Sequence, residues 1–394
     1  MTNANLLPKP NRVELVDALR GFALLGIILV HSMEHFEICN YVESMNPILA
    51  AIDRFLYDTI FFLFGGKCYA IFALMFGFSF YVQSANRKKR NEPFAGRFFW
   101  RMCLLILFGV FHLLFFSGDI LTCYALVGML MIPLRNLSNK ALIVILVICV
   151  LEPFELIQLG MGLADPDYEP VRYSGDLYRQ VVTAAKEGES FWDVAYANLT
   201  AGLPNTHLFT WRSGRYFQTI ALFLAGILLG RKGLFTPEKG KNGFWKKVWL
   251  ISVPCFVVFY LLRTNLGTWG LTAGVSRPLS TLVYMWGNLF FAAFWVSSFS
   301  LLWFYTRFIN VEAKLVPFGK MSLSNYIGSS IFGALIYYHY ALGLYNKLGA
   351  TATLLVATAT FLLQLYFSRW WLARYKRGPL ETVWYRLTNL SFRK

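Results

Sequence analysis

Long apolar runs separated by short polar clusters occupy residues 15–33, 55–83, 98–116, 119–134, 140–160, 214–230, 246–265, 279–305, 321–341 and 349–371. Each approaches the ~20 residues a helix needs to cross hydrocarbon. The runs are continuous rather than alternating, so they predict helices, because lipid admits only helices or closed barrels. The pattern therefore predicts an all-α integral membrane fold of about ten transmembrane helices, one polytopic domain over 1–394 with both termini cytoplasmic. The second run is too long for one ordinary span and contains Gly65-Gly66-Lys67, which predicts a broken or re-entrant helix. Residues 161–213 form the one long connection, read as an extracytoplasmic insertion with surface helices around 174–200, and 372–394 as a cytoplasmic tail. The first run contains Asp17 and Arg20 and no small-residue cleavage site follows it, so it reads as a retained helix rather than a signal peptide.

Composition agrees with that pattern. Only 15% of the 394 residues are charged and 57% are hydrophobic, too little charge to cover a water-soluble globule. The net charge of +16 resolves by side. With the N-terminus inside, 27 of 37 basic residues and 6 acids fall on the cytoplasmic side, giving +21, and the remaining 10 basic and 15 acidic residues give −5 outside. The excess is thus a positive-inside bias and not a nucleic-acid footprint. Trp100, Trp245, Trp249, Trp370 and Trp371 fall where a cytoplasmic aromatic belt belongs. Five of the six cysteines lie in or against apolar runs, which speaks against a disulfide framework and leaves only Cys39 to Cys123 as an open pairing.

A few polar residues are left that orientation does not explain. On a helical wheel at ~100° per residue, Arg20 and His31 fall within ~20° of each other and ~16 Å apart along the axis, with Asp17, Glu34 and His35 near the same stripe. Such a face cannot meet lipid, and intramembrane charges normally line an interior path. The plainer alternative is an i,i+3 ion pair that docks the first helix. All five histidines, His31, His35, His112, His207 and His339, fall toward the external side. His112 precedes Gly118-Asp119 across a short hairpin, and an imidazole beside a carboxylate is a usual arrangement for general base work. His31-Ser32-Met33-Glu34-His35 also has the H-x-x-E-H spacing of a zinc site, a short pattern with a high chance rate.

Four segments resemble one family. Arg12-x4-Asp17-x2-Arg20-Gly21-Phe22-Ala23-Leu24-Leu25-Gly26-Ile27, Gly109-x2-His112-x5-Gly118-Asp119-Ile120-Leu121, Gly319-Lys320-Met321-Ser322-Leu323-Ser324-Asn325-Tyr326 and Gly378-Pro379-Leu380-Glu381-x2-Trp384 look like those of the YeiB-like bacterial membrane proteins, in the same order. That family belongs to the transmembrane acyltransferase superfamily, with the heparan glucosaminide N-acetyltransferase and the acyltransferase-three proteins. The resemblance implies an active site within a helical bundle, acyl-CoA (acetyl-CoA foremost) arriving from the cytoplasm, a glycan or other polar acceptor from the other side, and residence in the bacterial inner membrane. Arg20, ten residues and His31 are similar to the arginine-histidine signature of the bacterial O-acyltransferases. The candidates are therefore His31, His112, His35 and Asp119 for catalysis, and Asp17, Arg20, Lys67, Ser324 and Asn325 for substrate binding. Lys67, Arg97, Arg101, Arg374, Lys376 and Arg377 are candidates for CoA phosphates, and equally candidates for plain positive-inside residues. No metal is expected, and self-association is left open. The competing functions are a transporter of a small anionic solute or lipid intermediate, and a zinc hydrolase.

Overall fold

The computed structural model describes residues 13–34, 46–170, 175–345 and 347–390. His35 and Cys39 lie outside the described residues, and so does the H-x-x-E-H spacing that needs His35. Among the described residues all regular structure is helical. Every apolar run contains a helix. These are α1 Glu14–Glu34, α2 Pro47–Phe64, α3 Cys68–Lys89, α4 Ala95–Leu113, α5 Leu121–Leu134, α6 Asn139–Val150 and α7 Pro153–Ala164. Three short helices follow, α8 Asp176–Glu187, α9 Phe191–Ala197 and α10 Leu203–Arg212. The chain ends with α11 Arg215–Lys232, α12 Phe244–Asn265, α13 Ala273–Tyr305, α14 Ser322–Tyr337, α15 Ala350–Leu372 and α16 Pro379–Thr388.

Six of these helical stretches are long and apolar enough to cross a membrane, or seven if the bent pair α6–α7 counts as one span. That is fewer than the ten expected, for identifiable reasons. Leu121–Leu134 has 14 residues and Ser322–Tyr337 has 16, short of the ~20 that cover hydrocarbon. Arg215–Lys232 has 18 residues, but Arg215, Arg231 and Lys232 sit at its two ends.

The long second run forms one 43-residue stretch, α2 and α3, interrupted at Gly65-Gly66-Lys67. Gly66 adopts φ +72°, a left-handed conformation that residues with a Cβ rarely take. The α6–α7 pair bends by 44° at Leu151-Glu152, where Glu152 itself has φ +52°. Asn46 and Ser138 cap α2 and α6 through their side-chain oxygens. Asp53, buried on α2, accepts from the Thr351 amide at 2.7 Å and so caps the start of α15.

Helix α1 is the centre of the bundle, flanked by α2, α3, α14, α15 and the five-residue helix Val316–Lys320. The closest approach is at Gly319, where a Cβ would lie 1.8 Å from the Asp17 carbonyl oxygen. At one end of the bundle lie the cationic termini of α3 and α11 and the tail helix α16. Trp100 and Trp384 fasten α16 to α4 by donating to the Leu387 and Arg101 carbonyls. At the opposite end, residues 175–212 cover the α4–α5 hairpin, with Thr206 donating to the Ser117 carbonyl at 2.7 Å. These are called the basic end and the capped end below. Trp245 departs from the expected aromatic belt: it is buried against Phe235 and donates to the Leu234 carbonyl.

Candidate functional site

The stripe on α1 touches two cavities. Arg20 donates to Asp17 Oδ1 at 2.9 Å, to the Ser79 hydroxyl and to the Met75 carbonyl at 3.4 Å. The i,i+3 pair is therefore real, but it aims the guanidinium across to α3 instead of only docking α1. Asp17 is buried and does the aiming, while Arg20 lines a cavity of about 270 Å³ at the basic end.

That cavity gathers Arg20, Arg101, Lys320 and Arg377. The Arg101 guanidinium lies 3.6 Å from the centre of the Trp384 ring, and that of Arg377 lies 3.5 Å from the centre of the Tyr385 ring. Stacking fixes the two planar cations while leaving their in-plane donors available. Glu381, also in the lining, accepts from the amides of Leu323 at 2.8 Å and Ser324 at 3.1 Å and from the Ser324 hydroxyl. A carboxylate here satisfies the exposed amides at the start of α14. Burial pushes the Glu381 carboxyl above its ordinary range, against the downward pull of the Ser324 and Leu323 donors. The Gly319–Tyr326 and Gly378–Trp384 motifs are thus two halves of one contact.

The second cavity, about 430 Å³, lies under the covering segment at the capped end and is lined by His31, Asp119, Tyr69, Arg215, Thr206 and others. Ile27, Ile120 and Tyr326 line both cavities, so the two chambers meet at these three side chains. His31 stands just beyond the junction, its ring 6.4 Å from Tyr326 and 4.8 Å from Phe116.

His112 is fully buried beside this chamber and is absent from the lining. Its Nδ1 lies 3.0 Å from Asp119 Oδ1 and its Nε2 2.7 Å from the Ser330 hydroxyl, while the Thr122 amide donates to Asp119 Oδ2 at 2.8 Å. The Tyr326 ring packs on His112 at 4.5 Å. Ser330 escaped the sequence reading, because a serine in an apolar helix carries no signal alone. Its position four residues after Tyr326, on the same face of α14, was the available clue.

Three expected substrate contacts lie elsewhere. Lys67, at the α2–α3 break, donates to the Phe61 carbonyl at 3.3 Å and sits 5.3 Å from the Phe291 ring, and it lines neither cavity. A cation at mid-bundle is held there by the Phe61 carbonyl, which also accepts from the Gly65 amide, and by aromatic faces. Ser324 is engaged with Glu381. Asn325 donates to the Phe318 carbonyl at 3.0 Å and to Ser368 at 2.9 Å, tying α14 to α15. Arg97 and Arg374 line neither cavity, in contrast to Arg101 and Arg377. His207 pairs with the Tyr216 hydroxyl, and burial lowers its pKa.

Comparison with known proteins follows the same division of the chain. Residues 12–161, which supply Arg20, His31, His112 and Asp119, match the family described as heparan-alpha-glucosaminide N-acetyltransferase, catalytic. Residues 229–391, which supply Tyr326, Ser330 and Glu381, match the family described as protein of unknown function, DUF418. The uncharacterized protein YxaH of Bacillus subtilis (strain 168) is 27% identical, covering 97% of this chain and 95% of its own. The uncharacterized protein YeiB of Escherichia coli (strain K12) is 25% identical, covering 95% of each. The chain is thus similar to YeiB-like proteins along nearly its whole length. An uncharacterized 39.9 kDa protein in the amylase 3′ region of Bacillus acidopullulyticus is similar as well, 28% identical over 96% of this chain and 94% of its own. Through residues 12–161 the chain is similar to the acetyltransferase catalytic domain. The two family matches meet in space at the junction, where Ile27 and Ile120 of one face Tyr326 of the other.

Proposed function

We propose that this YeiB-like protein is a transmembrane acyltransferase that moves an acyl group, acetyl foremost, from cytosolic acyl-CoA to a polar acceptor, such as a sugar, on the other side of the membrane. The observation that carries the reading is the pair of chambers toward opposite ends of the bundle that share Ile27, Ile120 and Tyr326 in their linings, with cations in one and His31 in the other. The charge distribution of +21 and −5 favours the basic end as the cytoplasmic one. In that topology the bundle crosses the inner membrane ten times, the short helices α5, α11 and α14 included, with both termini inside.

Arg20, Arg101, Lys320 and Arg377 suit the phosphates of CoA, and Trp384 and Tyr385 provide faces for stacking. The acyl thioester then extends to the junction. His31 accepts the proton of the acceptor hydroxyl or amine as the new C–O or C–N bond forms, the C–S bond breaks, and the proton passes to the departing CoA sulfur. The Tyr326 hydroxyl, which donates to the Gly118 carbonyl at a long 3.5 Å, is the polar group at the junction that would turn toward the developing oxyanion. His112, held by Asp119 and Ser330, is a positioning residue that keeps α14 and the α4–α5 hairpin in register around that point.

Purified protein in nanodiscs is assayed for CoA binding and acyl-CoA turnover, as wild type, Arg20→Ala and His31→Ala. Arg20→Ala is expected to weaken CoA binding, and His31→Ala to keep binding while losing turnover. Absence of CoA binding by the wild type would sink the function, and unchanged turnover in both variants would sink the site. The same two chambers in series, with Gly66 of the broken helix in one lining, also fit a transport path. Solute flux in proteoliposomes without acyl-CoA favours that second reading.

A further inference from the structure

The capped cavity contains a cation that the transfer step does not use. Arg215 opens α11, and its guanidinium lies 4.9 Å from the centre of the Tyr69 ring and 4.7 Å from that of Phe209. All three line the cavity. The platform is rigid: the Tyr69 hydroxyl donates to Gln218, whose amide donates to the Met285 carbonyl at 2.9 Å. Yet Arg215 Nε is buried with no hydrogen-bond partner, and among the described residues no carboxylate pairs with this guanidinium. Glu152, beside Gly214, likewise keeps a buried carboxyl oxygen unpartnered instead of reaching Arg215.

The rest of the lining fits the same sign of charge. Its one acid among the described residues, Asp119, has both oxygens engaged, by His112 and by the Thr122 amide. The covering segment is rich in acids, but it lines the cavity with Gly175, Tyr178, Asn205, Thr206, Phe209 and Thr210, none of them acidic. A stacked, half-buried guanidinium without a counter-charge, at the positive end of an 18-residue helix, favours an anion in a chamber of low dielectric. Arg215 lies outside both family matches, so neither of them assigns it a part.

We infer that the molecule bound in the capped cavity is an anionic sugar, whose phosphate or carboxylate is held by Arg215 while its free hydroxyl or amine faces His31. This rests on the proposed function only for what happens at His31; the anion site stands by itself. Phosphate and carboxylate each present a pair of oxygens to arginine's planar, bidentate fork, the first belonging to a lipid-linked saccharide and the second to an acidic glycan.

Full-length protein in nanodiscs is titrated with glucose 1-phosphate, glucuronate and neutral glucose, following thermal midpoint, and with CoA in a separate series. At least one anionic sugar is expected to bind ten-fold or more tightly than glucose, and which one it is separates the two sources. Arg215→Gln should remove that preference, and Arg215→Lys should retain part of it. Arg215→Met, which keeps the stem over both rings, substitutes if Arg215→Gln does not fold. Equal binding of glucose, no binding of either anion, or an unchanged preference in the neutral variant overturns the inference. Anion preference without CoA binding overturns the acyltransferase reading alone, and CoA binding without anion preference overturns only this one.

Discussion

Asp119 stands 3.0 Å from His112 Nδ1, and neither side chain is reached by solvent. The carboxylate also accepts from the Thr122 amide, and these donors favour its charged form, so Nδ1 carries the proton and Nε2 receives the Ser330 hydroxyl. Removing the imidazole leaves a buried carboxylate short of one of its donors, at a cost on the order of 1–3 kcal/mol. His112→Ala should therefore lower the thermal midpoint more than the double variant His112→Ala/Asp119→Asn does. Midpoints of the two single variants and the double variant form the cycle that checks this. Additive losses would mean the pair is not coupled.

The junction makes a steric prediction. Ile27→Trp fills the point shared by the two cavities while leaving the four cations of the basic chamber in place. CoA affinity should stay within about two-fold, whereas transfer should fall by about 100-fold or more, since small displacements of reacting groups already cost that much. Binding titration and a turnover assay on the same sample measure both.

Gly319 makes a packing prediction. A methyl group there meets the Asp17 carbonyl oxygen at 1.8 Å, which no side-chain adjustment relieves because the obstacle is backbone. Gly319→Ala should destabilise by about 1–3 kcal/mol and more if α1 must shift. Because Asp17 aims Arg20, CoA affinity should drop in the same variant.

Glu312 makes a pH prediction. It lies between α13 and α14, buried, with neither carboxyl oxygen partnered, and burial raises its pKa from 4.5 to about 7. The folded form thus holds its proton more tightly than the unfolded chain. Stability should be greatest below pH 4.5 as far as this group is concerned, and should fall as pH rises from about 4.5 to about 7. Glu312→Gln should abolish that component, raising the thermal midpoint by about 2–4 °C at pH 8, the response to ~1 kcal/mol, and by little at pH 4.5. Equal gains at both pH values would contradict the assignment.

Helix positions were readable in the sequence because the membrane imposes a one-dimensional rule: each long apolar run had to become a helix. The break at Gly65-Gly66-Lys67 and the polar stripe through Arg20 and His31 follow from the same local rules, backbone freedom at glycine and the 3.6-residue repeat. Lys67, Ser324 and Asn325 could not be placed by such rules. A polar side chain in an apolar run must find a partner, and whether that partner is a substrate, an aromatic ring or a neighbouring helix depends on which helices pack together.

The sequence by itself determined that this chain is all-helical and embedded in lipid, and it singled out the His112–Asp119 pair, since a seven-residue hairpin holds both partners. Only the tertiary structure decided that Ser330 completes that network, that Glu381 binds the start of α14, that Arg101 and Arg377 turn inward while Arg97 does not, and that two chambers meet at Tyr326. Those contacts join residues tens to hundreds of positions apart, and no local periodicity encodes which face of one helix will meet which face of another.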